Sequence, residues 1–161
     1  MLEIIEADFN DAAHARAIIA LLDEYARGPM GGGEPLSAHA RANLVAELAR
    51  RPHARALLAW QDGEPAGLAI CIEGFSTFAC RPLLNLHDLA VAERFRGQGV
   101  GTRLLEALEA LAARLDCCKV TLEVLEGNTR AQALYRRLGY AGYELAADTG
   151  RAMFWQKKLS A

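Results

Sequence analysis

The stretch Arg94-Phe95-Arg96-Gly97-Gln98-Gly99-Val100-Gly101-Thr102 constrains this chain more than any other. An apolar run, Leu83 to Val91, precedes it and reads as a strand. Gly99 to Leu115 follows as the strongest helical pattern: Leu104, Leu105, Leu108, Leu111, Ala112 and Leu115 form one stripe, with Arg103, Glu106, Glu109 and Arg114 off it. Lys119 to Leu125 then reads as a second strand, β-branched and alternating. Strand, glycine turn, helix and strand make a β-α-β crossover, which is right-handed almost without exception. The three alternating glycines let the backbone turn tightly and leave its amides open to close approach.

The rest of the chain arranges itself around that unit. Leu2 to Ala7 is a short strand, and Asp8 and Asn10 offer helix caps. Ala15, Ile18, Ile19, Leu22 and Tyr25 recur at helical spacing, so a first helix runs to about Arg27. The segment 28–35, with three consecutive glycines among prolines, is a loop. Ser37 caps a second helix that stops before Pro52. Ala54 to Trp60 and Ala66 to Phe75 form a hairpin about Asp62-Gly63. After the crossover, Asn128 to Leu138 is a short helix ended by Gly139. Two late strands are expected at about 140–146 and 152–159. The fold class is α+β: a mixed, mostly antiparallel twisted sheet with helices on both faces. At 161 residues the chain is expected to be one domain, 1–161.

A helix N-terminus fed by a glycine turn aims free N–H groups at one point, a geometry that favours phosphate oxygens. Two familiar phosphate loops do not fit. Gly101 is followed by Thr102-Arg103 rather than Lys-Ser/Thr. Thr102 stands where a dinucleotide fingerprint starting at Gly97 needs its third glycine.

Composition narrows the function classes. Hydrophobic residues make up 52% and charged residues 24%, with a net charge of −2. That balance builds a core and offers no overall basic surface for nucleic acid. No apolar run approaches the ~20 residues of a membrane helix. The start, Met1 to Glu6, is not a signal peptide, so a cytoplasmic location is expected. Cys71, Cys80, Cys117 and Cys118 show no Cys-x-x-Cys spacing and read as reduced thiols. His14, His39 and His53 are scattered, and no metal site is expected.

Arg96-Gly97-Gln98-Gly99-Val100-Gly101 resembles the Arg/Gln-x-x-Gly-x-Gly/Ala signature of the GNAT superfamily of N-acetyltransferases. Asp88-Leu89-Ala90-Val91 resembles the strand that precedes that signature, and Asn128, Tyr135 and Gly139-Tyr140 resemble the family's later helix and turn. The resemblance covers about residues 54–159. It implies a GNAT-type sheet in which strands 83–91 and 119–125 splay to hold acetyl-CoA. It places the pyrophosphate on the amides of Gly97, Gln98, Gly99, Val100, Gly101 and Thr102, with Arg96 in the signature. It pairs the pantetheine arm with Leu89, Ala90 and Val91, with Asn128 against the arm and Tyr135 near the sulfur.

The implied reaction is direct attack of a primary amine on the thioester. An alkyl amine with a pKa near 10.4 is almost wholly protonated at neutral pH, so a base is useful. The thiolate leaving group gains from an acid, and Tyr135 matches the family's acid position. His87 and Asp88 are the candidates on the strand; alternation lets only one of them face the cleft. His87 suits neutral pH and is the first choice for base, while Asp88 also suits a structural acceptor. The run from Phe75 to Leu89 resembles the diamine acetyltransferase branch, with Asn85 and His87 replacing its tyrosine and glutamate. A small primary amine, diamine-like by preference, is the expected acceptor. A protein lysine or N-terminus, or a non-catalytic CoA sensor, are the alternatives. Loop 28–35 has the glycines of a lid, and Asp23, Glu24 and Glu34 offer negative charge beside it. Arg94 and Arg103 flank the glycine turn as further phosphate partners, and Trp60 and Trp155 read as core or interface. Tyr140, Tyr143, Phe154 and Trp155 on the late strands make a homodimer possible.

Overall fold

A computed structural model describes residues 1–159. It divides into two compact units, Met1–Leu122 and Glu123–Ala161. The first holds a five-stranded sheet in the order β1-β2-β3-β4-β5, built from β1 (Leu2–Glu6), β2 (Ala54–Gln61), β3 (Glu64–Ser76), β4 (Arg81–Val91) and β5 (Val120–Leu122). The first four strands pair antiparallel, and β5 joins β4 in parallel. This is the mixed, mostly antiparallel α+β arrangement the sequence predicts.

Side chains cap the first two helices, the first by Asp11 rather than by the Asp8 or Asn10 that the sequence offers. Asp11 accepts the amides of Ala13 and His14 at the start of α1 (Ala12–Arg27), and Ser37 accepts that of Ala40 at the start of α2 (Ala38–Ala49). The apolar stripe of α1 packs Ile18, Leu21 and Leu22 on the sheet face formed by Ala56, Leu58, Leu68, Ile70, Ala90 and Ala92. α3 (Val100–Arg114) buries Leu104, Leu105, Leu108 and Leu111. A Cβ on Gly67 would come within 3.0 Å of Leu104 Cδ1, Val100 Cγ1 and Ala90 O, so only a glycine lets α3 sit this close to β3 and β4. The start of α3 is thereby held against the strand from which the glycine turn emerges.

The second unit contains α4 (Thr129–Arg137), capped by the Asn128 side chain on the amide of Ala131. The late strands are not formed. Among described residues 140–159 one isolated bridge forms, Glu144 with Arg151, just ahead of the second expected strand. Their apolar residues alternate in a strand-like way, yet Tyr143, Phe154 and Trp155 are exposed, so no packed face stabilises a ladder. Trp155 is therefore not a core residue, whereas Trp60 packs half-buried against the core. β5 is likewise shorter than 119–125, and Cys117 and Cys118 precede it rather than lying in it. All four thiols are free; burial pushes that of Cys71 up to about 12.

Candidate active site

The β4–β5 pairing stops at Leu86 opposite Leu122, while β4 continues to Val91. Residues 87–91 thus run on without a β5 partner, leaving one backbone edge of Leu89, Ala90 and Val91 unpaired by strand. A 3-10 turn, Glu93–Phe95, then leads into the glycine turn. Gly97 and Gly99 adopt φ of +80° and +84°, a left-handed conformation that side-chain-bearing residues adopt at a cost. Gly99 caps α3 without a side chain to receive the first amides, and the first intrahelical bond is Arg103 N–H to Gly99 O at 3.1 Å. Donors of the Gly99–Thr102 turn therefore point outward along the helix axis, where the dipole favours an anion.

Side chains of the signature brace the turn itself. Arg96 Nε donates to Val91 O at 3.1 Å, and Gln98 Nε2 to Arg94 O at 2.9 Å. Arg94 and Arg103 are already engaged with Glu64 at 2.6 Å and Glu106 at 2.9 Å, which weakens their case as phosphate ligands.

The strand β4 departs from simple alternation. Leu86 lies opposite Cys71 and Asp88 opposite Ile70, with His87 inserted between as a bulge. Cys71 and Ile70 face opposite sides of β3, so Leu86 and Asp88, two residues apart, do as well. The extra residue resets the face between Leu86 and Asp88. Asp88 is carried onto the face of Ile70, Leu68 and Ala90, the one covered by α1. There it is half-buried, and His87 beside it is exposed. Burial raises the Asp88 carboxyl above its ordinary value, partly offset by His87. Tyr25 on α1 is raised as well, first by burial and then by the charge of Asp88.

Tyr25 was visible in the sequence only as the last member of an apolar stripe. Its hydroxyl donates to Met30 O at 3.2 Å and ties down the glycine loop. Gly33 N–H bonds to Ala26 O at 3.0 Å, and Asp23 accepts the amide of Leu36 at 2.8 Å and Arg27 Nε at 2.9 Å. Residues 28–36 are therefore folded back on the end of α1. Asp23 and Glu24 are engaged in this scaffold, Glu24 by accepting the amide of Glu93 at 2.7 Å, rather than standing free as the sequence suggests.

The remaining candidates lie in the second unit. Asn128 spends its side-chain oxygen on the α4 cap at 3.2 Å. Tyr135 is buried on α4, its ring 5.9 Å from that of Tyr140. The structure brings His87, Asp88, Leu89, Ala90, Val91 and the glycine turn together in the first unit, and carries Asn128 and Tyr135 on α4.

The sequence profile of the Acetyltransferase (GNAT) family matches residues 15–140. The chain belongs to that family. GNAT enzymes draw their acetyl group from acetyl-CoA. The thialysine N-epsilon-acetyltransferase of Bos taurus is 33% identical over 101 residues, 60% of this chain and 53% of its own. The chain spans about half the length of the curated relatives it matches. Among solved structures, a probable acetyltransferase superposes with a TM-score of 0.81 over 99% of both chains at 20% identity. An aminoglycoside N-acetyltransferase in complex with CoA gives 0.73 over 99% of this chain and 96% of its own, also at 20%. At that identity the likeness is one of fold.

Proposed function

We propose that this GNAT protein is an acetyl-CoA-dependent N-acetyltransferase acting on the primary amine of a small molecule, with a diamine-like acceptor preferred. The observation that carries the reading is the continuity of the unpaired β4 edge, 87–91, with a glycine turn that opens α3. One edge suits an extended pantetheine arm; the other end supplies amides for a pyrophosphate. The named acceptor of the thialysine relative, a small amine, supports the substrate class. We take residues 1–161 as one N-acetyltransferase domain, since the family match runs across the boundary at 122.

In this reading acetyl-CoA supplies an activated acyl group. The amides of Gly97, Gln98, Gly99, Val100, Gly101 and Thr102 receive the pyrophosphate, and an amide among Leu89, Ala90 and Val91 holds the thioester oxygen as negative charge develops on it. Asn128 contacts the arm. His87, exposed beside Asp88, takes the proton from the ammonium, and Asp88 holds the cationic group. Tyr135 gives a proton to the departing thiolate.

Free-thiol release from acetyl-CoA across polyamines, thialysine, amino acids, aminoglycosides and a lysine peptide tests the proposal. Turnover with a small amine class is expected. Turnover with the peptide alone moves the acceptor to protein. CoA binding without turnover on any of them leaves a sensor in place of the enzyme.

A further inference from the structure

The last turn of α1 reaches two parts of the site. Tyr25 and Asp23 hold the loop 28–36, as described above. Glu24, between them, reaches across 69 residues of sequence: its Oε1 accepts the N–H of Glu93 at 2.7 Å. That amide is the first of the 3-10 turn Glu93–Phe95, a donor no intrahelical carbonyl reaches, and Ala92 at the N-cap makes no side-chain cap. Glu24 therefore supplies from another element the cap the local sequence lacks.

The glycine turn hangs on this short turn. Phe95 N–H bonds to Ala92 O at 2.9 Å and Arg96 N–H to Glu93 O at 3.2 Å, while Gln98 Nε2 reaches back to Arg94 O at 2.9 Å. Gly97 and Gly99 follow directly, and glycine backbone has no side chain to stiffen it. We propose that Glu24 is a positioning residue for acetyl-CoA: by capping the 3-10 turn from α1, it sets the direction of the amides that receive the pyrophosphate. The inference rests on the reading of that turn as the pyrophosphate site.

Two effects of opposite sign separate this role from plain electrostatics. A carboxylate near a pyrophosphate repels it, so removing the charge alone tightens binding. Removing the hydrogen bond loosens the turn and weakens binding. Glu24→Gln keeps an acceptor oxygen and loses the charge; Glu24→Ala loses both. Glu24 is an exposed helix position where alanine is well tolerated.

Calorimetric titration of the full chain with CoA, alongside kinetics, reads the result. Glu24→Ala is expected to raise the CoA Kd and the acetyl-CoA KM about fivefold, the loss typical of one cap, with the amine KM unchanged. Glu24→Gln is expected to bind CoA as tightly as the wild type or more tightly. A merely structural role lowers the melting temperature and leaves both constants alone. Glu24→Ala binding like the wild type, or Glu24→Gln as weak as Glu24→Ala, overturns the proposal. Gly99→Glu is the separate control, since it puts bulk and charge on the turn. If it binds CoA normally, the pyrophosphate reading fails and the proposal with it; if it abolishes binding, the Glu24 variants judge the proposal alone.

Discussion

Gly31→Ala probes the folded-back loop directly. A Cβ at Gly31 would overlap the carbonyl oxygen of Tyr25 and stand 2.7 Å from Ala26 Cα. Both are backbone atoms of α1, held by a buried stripe that includes Ile18, Leu21 and Leu22. The helix cannot give, so the loop must leave. Its departure breaks two of the hydrogen bonds that tie it to α1, Gly33 N–H to Ala26 O at 3.0 Å and Tyr25 O–H to Met30 O at 3.2 Å. At about 0.5–1.5 kcal/mol each, the loss is about 1–3 kcal/mol. The core is untouched, so no cavity cost adds to it. If the amine meets the folded-back loop, its KM rises by up to the same free energy, about 5- to 150-fold, because the competent form becomes a minority. The acetyl-CoA KM stays constant, since the glycine turn at 97–101 makes no bond to residues 28–33. Urea unfolding and initial rates with each substrate varied supply the numbers. An unchanged unfolding midpoint together with an unchanged amine KM would refute the steric argument and the placing of the loop at the acceptor.

Three further outcomes are expected. Tyr135→Phe lowers kcat about tenfold or more, as loss of a general acid does, and leaves CoA affinity intact; unchanged turnover removes Tyr135 from the acid role. Asp88→Asn raises the melting temperature at pH 7 while impairing turnover. Burial raises this carboxyl in the folded state, so the native protein keeps its proton longer than the unfolded chain, and stability falls as pH rises from the ordinary carboxylate value of 3.8 through the raised one. The Asn variant escapes that loss, and its advantage shrinks as pH is lowered toward 3.8; a lower melting temperature at pH 7 contradicts this account. The exposed Tyr143, Phe154 and Trp155 keep a homodimer as a proposal. Sedimentation at micromolar concentration is expected to give about twice the 17.5 kDa chain mass, and a single-chain mass removes it.

Much of the frame was legible in the sequence because it depends on neighbours in the chain. The Ser37 cap, the stripe of α3 and the Asp62-Gly63 turn, which leaves Gln61 facing Glu64, all act within one or two turns of backbone. The glycine turn is local in the same way, and so is its phosphate chemistry. The late strands failed for the opposite reason: alternation was present, but a strand needs a partner and a packed face, and neither is a property of the segment itself.

What only the tertiary structure decided lies in pairings between distant residues. The bulge at His87 follows from the β3 register, which sends Asp88 to the α1 face. The polar pair between Leu86 and Leu89 breaks strict alternation, but the sequence does not say which residue is the extra one. The bond from Glu24 to Glu93 joins segments that share no local pattern. Three consecutive glycines declare a loop; that Gly31 is required by the backbone of α1 emerges only once that helix stands beside it. Sequence by itself determined which backbone conformations are cheap, through steric limits and hydrogen bonds a few residues in range. Packing determined which side chains meet, because burial and register are properties of the elements on both sides of a contact.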